Sequence, residues 1–124
     1  MAKIVVVEDE QVLNKALSIE LLDAGYEVLS AANGEAGLEL IQTEKPDLVL
    51  LDLVLPKMSG FEVLEAVKKD TKLKHIPVII LSNLGQDEDR EKGLKLGAED
   101  YYVKASTDLS VISEKVSKLL GSGK

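Results

Sequence analysis

The segment Leu48–Gly60 decides the fold, and it reads LVLLDLVLPKMSG. Its first four residues form an unbroken apolar run, the pattern of a parallel strand covered on both faces. Asp52 closes the run, and Pro56 then marks a loop. A carboxylate at the carboxyl end of a buried strand lies where open α/β sheets bind ligands, so Asp52 is the first candidate for chemistry.

Short apolar runs alternate with helical periodicity on both sides of this segment. The pattern predicts strands at 4–7, 26–31, 47–51, 77–81 and 101–103, and helices near 11–24, 34–43, 61–70, 87–96 and 109–119. Gly25 and Gly97 are typical helix ends, and Asn33 is a typical N-cap. Five β/α units with short connections predict an α/β fold, a single doubly wound parallel sheet with helices on both faces.

Length and composition limit the classes of protein that fit. The 124 residues make one domain, which we assign to residues 1–120, and residues 121–124 have the composition of a flexible tail or an expression scar. Cysteine is absent, which excludes disulfides and thiolate metal sites and favours a cytoplasmic location. The apolar runs are too short to cross a membrane, and a net charge of −7 argues against direct binding of nucleic acid.

Polar side chains follow four of the predicted strands and should meet at one edge of the sheet. Glu8-Asp9 follow the first strand, Asp52 the third, Ser82 the fourth and Lys104 the fifth. Each alone is weak evidence, because an acidic pair after a strand is usually a solvated helix start. Three gathered carboxylates, however, repel by about 4 kcal/mol per pair at 4 Å and an effective dielectric near 20. The sequence therefore predicts a bound cation, Mg²⁺ first, and a carboxylate suited to covalent capture of a phosphoryl group.

At this point the chain resembles a known family, the receiver domains of two-component response regulators. The residues that carry the resemblance, in order and at similar separations, are Glu8, Asp9, Asp52, Pro56, Gly60, Ser82, Tyr101 and Lys104. The likeness covers Lys3 to Leu120 and implies a flavodoxin-like sheet with strand order 2-1-3-4-5.

The resemblance implies a role for each acidic residue. Asp52 would be the phosphoacceptor. Asp9, Asp52 and the backbone carbonyl of Val54 would coordinate Mg²⁺ directly, whereas Glu8 would act through water.

It also implies a switch and its partners. Lys104 and Ser82 would contact the phosphoryl oxygens, and Tyr101 would turn inward as Ser82 moves, which would reshape the surface around the fourth and last helices. Tyr102 faces the opposite side of the strand and is excluded from this role.

The donor would be a sensor histidine kinase or a phosphotransfer protein, and the target would be another protein. A monomer or a weak dimer favoured by phosphorylation is expected. In such a dimer the charged run at 87–92 would form ion pairs across the interface, and Asp100 with Lys115 or Lys118 would join them.

Four residues depart from the usual family pattern. Ala105 follows Lys104 where Pro is usual, so we predict a trans peptide bond there. Asn83 stands where a small residue is common. Val54 and Leu84 have no polar side-chain group that could orient a water molecule for attack on the phosphoryl group. These features predict slow self-catalysed dephosphorylation.

Two other classes of function remain open at this stage. The chain could be a receiver-like interaction module that is not phosphorylated. It could also be a flavodoxin-like cofactor carrier or a Mg²⁺-dependent phosphatase, although no phosphate-binding glycines follow the first strand. The favoured reading is a phosphoaccepting regulator, not an enzyme, either stand-alone or cut from a longer protein.

Overall fold

A computed structural model describes residues 1–121, which contain five strands, five α-helices and one 3-10 helix. The strands are β1 (Lys3–Val7), β2 (Glu27–Ala31), β3 (Leu48–Leu51), β4 (Val78–Ser82) and β5 (Asp100–Val103). The helices are α1 (Gln11–Asp23), α2 (Gly34–Glu44), α3 (Gly60–Lys69), α4 (Asp87–Lys95) and α5 (Leu109–Leu120), with a 3-10 turn at Lys104–Ser106. Apart from Gly121, the predicted tail lies outside the described residues.

The strands form one parallel sheet in the order β2-β1-β3-β4-β5, which confirms the predicted fold. Val7 at the end of β1 is paired with Leu51 at the end of β3. The backbone amide of Asp52 donates to the carbonyl of Val7 at 3.0 Å, so the pairing continues one residue beyond the strand. This register places the acidic residues after β1 beside Asp52.

The unbroken apolar runs are explained by two cores, one on each face of the sheet. Val49 and Leu51 of β3 belong to the core beneath α2, α3 and α4, whereas Leu48 and Leu50 belong to the core beneath α1 and α5. All four side chains are buried. The central strands are therefore held from both sides, which gives the residues at their ends a rigid base.

The helix ends follow the predicted signals to within a residue or two. Gly25 and Gly97 have φ values of 97° and 108°, a region that favours glycine, and they end α1 and α4. The side chain of Asn33 accepts a hydrogen bond from the amide of Ala36 at 2.8 Å and caps α2. Within residues 1–121, no helix has the length and apolar character that crossing a membrane requires.

Gly60 allows α3 to begin directly against the strand end that carries Asp52. A Cβ atom at this position would lie 2.1 Å from the main-chain oxygen of Asp52 and 2.6 Å from the Cα of Leu53. We therefore expect Gly60→Ala to lower the free energy of unfolding by about 1–3 kcal/mol through overpacking, measured by urea denaturation.

Gly85→Ala is the matched control for this substitution. Its added Cβ would meet only the methyl groups of Val103, at 3.8 Å, so it should leave stability nearly unchanged. Equal costs for the two substitutions would contradict the tight contact at Gly60.

Candidate functional site

The carboxyl ends of β1, β3, β4 and β5 surround an opening of about 220 Å³ at one edge of the sheet. The residues that line it are Asp9, Glu10, Asp52, Val54, Asn83 and Lys104. Its walls therefore come from all the strand ends that the sequence marked as polar. The fold brings these segments together although they are far apart in the chain.

Three carboxylates meet beside this opening. Oxygens of Glu8, Asp9 and Asp52 all lie within 4.8 Å of one another. Glu8 and Asp52 are buried, whereas Asp9 is exposed. Hard oxygen ligands with one side open to water suit Mg²⁺, which binds through a few carboxylates and keeps several waters. The predicted acidic cluster is confirmed, and its residues fit the predicted ion.

Lys104 places its ammonium between two of these acids. Its Nζ lies 2.7 Å from Oε1 of Glu8 and 2.9 Å from Oδ2 of Asp52, and its side chain is 9% exposed. The peptide bond to Ala105 is trans, as predicted, and continues into the 3-10 turn. Lys104 still reaches the acidic cluster from this turn.

The pKa values of this pair reflect burial and mutual contact. Burial raises the pKa of Glu8 above its ordinary value, and the hydrogen bond from Lys104 offsets this only in part. Burial alone would lower the pKa of Lys104, but its hydrogen bonds to Glu8 and Asp52 outweigh that effect and raise it. Lys104 therefore remains a cation at neutral pH, and the short contact distances describe a buried ion pair.

Asp52 has contacts on both carboxylate oxygens. Oδ1 accepts a hydrogen bond from the backbone amide of Val54 at 3.3 Å, and Oδ2 is held by Lys104. Val54 itself is 60% exposed at the mouth of the opening. The side chain of Asp52 is thus fixed in direction while the opening gives a donor access to it.

Ser82 lies behind this opening rather than on it. Its side chain is fully buried, its Oγ accepts a hydrogen bond from the amide of Leu84 at 3.3 Å, and the next residue, Asn83, lines the opening instead. The hydroxyl of Ser82 therefore does not line the opening, and its contact with a phosphoryl oxygen stays a prediction.

Tyr101 is buried in this structure, and its hydroxyl donates to the carbonyl of Leu84. Its expected inward turn as Ser82 moves stays a prediction. Burial also raises the pKa of Tyr101, which keeps the hydroxyl a donor. Tyr102 packs against the opposite core, as the alternation of strand side chains predicted.

Ion pairs link α4, β5 and α5 near Tyr101. Arg90 donates to the carbonyl of Tyr101 at 3.1 Å and lies 3.9 Å from Asp100, which also lies 3.6 Å from Lys115. Asp100 was predicted to join a network across a dimer together with Lys115 or Lys118. In the structure it has these partners within its own chain.

Sequence reasoning missed two residues near the site. The carboxylate of Glu10 lies 3.8 Å from Nζ of Lys104, and Asn14 donates to the main chain of Glu8. Glu10 directly precedes α1, where an acidic side chain is common without any functional role. Asn14 could have been noticed as a polar residue beside the apolar positions of α1.

The sequence of this chain matches a known family model and curated proteins. A family model described as "Response regulator receiver domain" matches residues 4–116. Among curated proteins, "Probable transcriptional regulator ycf27" of Cyanophora paradoxa is 45% identical over 102 residues, which is 82% of this chain and 41% of that protein. The chain therefore spans about two fifths of the length of that relative.

Solved structures give the same result over nearly the whole chain. The receiver domain of the Francisella response regulator 1452 has a TM-score of 0.89 and 28% identity, with 96% of each chain covered. The BeF3-activated N-terminal receiver domain of Klebsiella pneumoniae RstA has a TM-score of 0.87 and 30% identity, with 95% of this chain and 97% of that chain covered.

Removing the ammonium should make stability depend more steeply on pH. Because the folded-state pKa of Glu8 is raised, the stability gained from its protonation is lost as the pH rises through that value. Lys104→Met leaves the buried carboxylates without their cation, so we expect the free energy of unfolding to fall by about 3 kcal/mol near neutral pH. The loss should be smaller near pH 5, measured by urea denaturation in metal-free buffer.

Lys69→Met is the control, because Lys69 contacts Glu65 at 2.6 Å but its side chain is 74% exposed. It should cost less than about 1 kcal/mol. A pH-independent loss in the Lys104 variant, or a loss no larger than that of the control, would show that the buried pair contributes no special stability.

Proposed function

Because this chain belongs to the response regulator receiver domain family, we propose that it is a phosphorylation-dependent signalling switch whose phosphoacceptor is Asp52. The observation that carries the proposal is the position of Asp52 between Lys104 and the neighbouring carboxylates, at the mouth of an opening. A positive charge beside this nucleophile would attract the phosphoryl group of a donor.

In the proposed reaction, a carboxylate oxygen of Asp52 attacks the phosphorus of a phosphohistidine on a sensor histidine kinase or a phosphotransfer protein. An O–P bond forms, the P–N bond breaks, and the imidazole leaves with its electron pair. A small donor such as acetyl phosphate would release acetate instead. Lys104 would balance the charge on the phosphoryl oxygens, and the fixed direction of Asp52 would favour in-line attack.

We assign the metal to the acidic cluster. Asp9, Asp52 and the backbone carbonyl of Val54 would hold Mg²⁺, and Glu8 would contact it through water. The indirect role of Glu8 is supported because Oε1 contacts Lys104 at 2.7 Å and Oε2 accepts from the amide of Glu10 at 2.9 Å. When bound, Mg²⁺ would neutralise charge on the group being transferred.

The position of Tyr101 changes how the switch should work. Since Tyr101 is already buried and bonded to Leu84, phosphorylation need not create space for it. Instead, the phosphoryl group would draw the hydroxyl of Ser82 toward Asp52. This movement would shift the population further toward the conformation in which Tyr101 is buried. The output surface would comprise α4, β5 and α5.

The partners follow from this surface and from the relatives. A relative named as a transcriptional regulator suggests that a DNA-binding protein or domain receives the signal. With a net charge of −7, this chain itself should not bind nucleic acid or a membrane. We place the reaction in the cytoplasm, and we expect a monomer or a weak dimer in which Asp100 exchanges partners across α4, β5 and α5.

The second candidate is a receiver-like interaction module that is not phosphorylated. Asn83 supports it, because its amide lines the opening where a phosphoryl group would enter. Beryllofluoride mimics an aspartyl phosphate and separates the two candidates. A receiver that accepts phosphate should show changes in NMR amide shifts at Asp52, Ser82 and Tyr101 when beryllofluoride and Mg²⁺ are added together, whereas the module should show none.

Replacing the nucleophile should abolish phosphorylation. We expect Asp52→Ala to lose all acid-labile labelling by acetyl phosphate in Mg²⁺ buffer. Glu8 also contacts Lys104, but its second oxygen is held by the amide of Glu10 and it does not line the opening. Asp23→Asn, at the end of α1, should be labelled like the unchanged protein. Full labelling of the Asp52 variant would refute the assignment.

The phosphorylated protein should lose its phosphate slowly. Val54 and Leu84 carry no polar group to orient attacking water, and Asn83 occupies part of the opening. We expect decay in Mg²⁺ buffer, followed by phosphate release or NMR, to be much slower than seconds. A half-life of seconds would contradict this reading of the opening.

A further inference from the structure

A hydrogen-bonded side chain outside the opening holds the acidic loop in place. Asn14, in α1, donates from Nδ2 to the carbonyl of Glu8 at 2.9 Å and to the carbonyl of Ala31 at 3.4 Å. The amide of Glu8 also donates to the carbonyl of Ala31 at 3.0 Å. Asn14 therefore ties the end of β1, the end of β2 and α1 together at one point.

The bond to Glu8 has a geometric effect on the next residue. The carbonyl of Glu8 and the amide of Asp9 share one planar peptide group. A hydrogen bond that holds the carbonyl of Glu8 therefore also holds the orientation of the peptide group that leads into Asp9. The side chain of Asp9 is exposed and belongs to the acidic cluster. The amide side chain of Asn14 thus acts on Asp9 through one rigid unit.

The side chain of Glu8 is held within the same loop, which comprises residues 8–10. Oε2 of Glu8 accepts from the amide of Glu10 at 2.9 Å, while the amide of Asn14 donates to the carbonyl of Glu10 at 2.9 Å as α1 begins. Asn14 therefore contacts this three-residue loop through both its side chain and its backbone. The loop has no comparable support from a side-chain cap, because Glu10 makes no capping bond at the start of α1.

We propose that Asn14 is a positioning residue for the metal site, one that sets the direction of the Asp9 carboxylate through the Glu8 carbonyl. The inference rests on the proposed Mg²⁺ site and adds a residue to it that lies on a different face of the loop. Outer-shell partners of this kind typically change metal affinity by about 10–100-fold when they are removed.

The surroundings of Asn14 predict an order among its variants. Asn14 lines a second groove, of about 410 Å³, which it shares with Glu8, Gln11, Ser18 and Ser30 and which Asp52 does not line. In Asn14→Ala, water from this groove can reach the two carbonyls and replace part of the lost support. In Asn14→Leu, the side chain keeps its branching and its number of non-hydrogen atoms but is bulkier, offers no donor and excludes water. Leu has a higher helix propensity than Asn, so α1 is not weakened.

The test is an NMR titration of metal-stripped protein with Mg²⁺, together with hydrogen exchange of the Glu10 amide in the absence of metal. We expect Asn14→Leu to raise the Mg²⁺ dissociation constant about tenfold and to accelerate exchange of that amide, with a smaller effect for Asn14→Ala. Tyr26→Phe is the matched control. It removes bonds to Ser117 and to the carbonyl of Gly121, far from the acidic loop, and should lower thermal stability without changing either readout.

The two readouts separate this inference from the proposed function. If the unchanged protein binds Mg²⁺ and Asn14→Leu binds it equally well, Asn14 is only structural and the inference is overturned. If the unchanged protein does not bind Mg²⁺, the proposed metal site fails. In that case unchanged exchange of the Glu10 amide in Asn14→Leu would also overturn the positioning role.

Discussion

The ammonium of Lys104 between Glu8 and Asp52 is the interaction on which the rest of this site depends. Two buried carboxylates so close together would otherwise repel, and one of them would take up a proton. A proton on Asp52 would prevent the nucleophilic role proposed for it. The cation therefore allows the fold to keep charged acids in its interior, and under the proposed function the same cation would contact the incoming phosphoryl group.

Much of the fold was predictable because its signals are local and agree with each other. The unbroken run before Asp52 indicated a strand with two covered faces, and Gly25, Gly97 and Asn33 marked helix ends through their own backbone chemistry. Parallel strands then bring their carboxyl ends to one edge, which is why Asp9 and Asp52 were found in advance. The strand order was different in kind, since it came from the family resemblance alone.

The rest could not be predicted because it depends on distances that no short stretch of sequence records. The support from Asn14 joins residues from three elements, and its polar side chain looks ordinary within α1. The buried position of Tyr101 depends on a carbonyl in the loop after β4 and on close packing of α4, where a Cβ at Gly93 would lie 2.6 Å from Ile80. The trans bond after Lys104 was predictable from peptide energetics, but the reach of its side chain was not.

The sheet order also makes two of the strands differ in how easily they can be displaced. β3, which carries Asp52, lies between β1 and β4 and is hydrogen-bonded on both sides, whereas β5, which carries Tyr101, is an edge strand bonded only to β4. Displacing β3 would break two ladders, while displacing β5 strains only one. Asp52, the proposed nucleophile, therefore follows a strand whose backbone resists displacement, whereas Tyr101, the proposed switch residue, lies on a strand that is easier to displace. Under the proposed function, a movement of β5 would not need to disturb the geometry around Asp52.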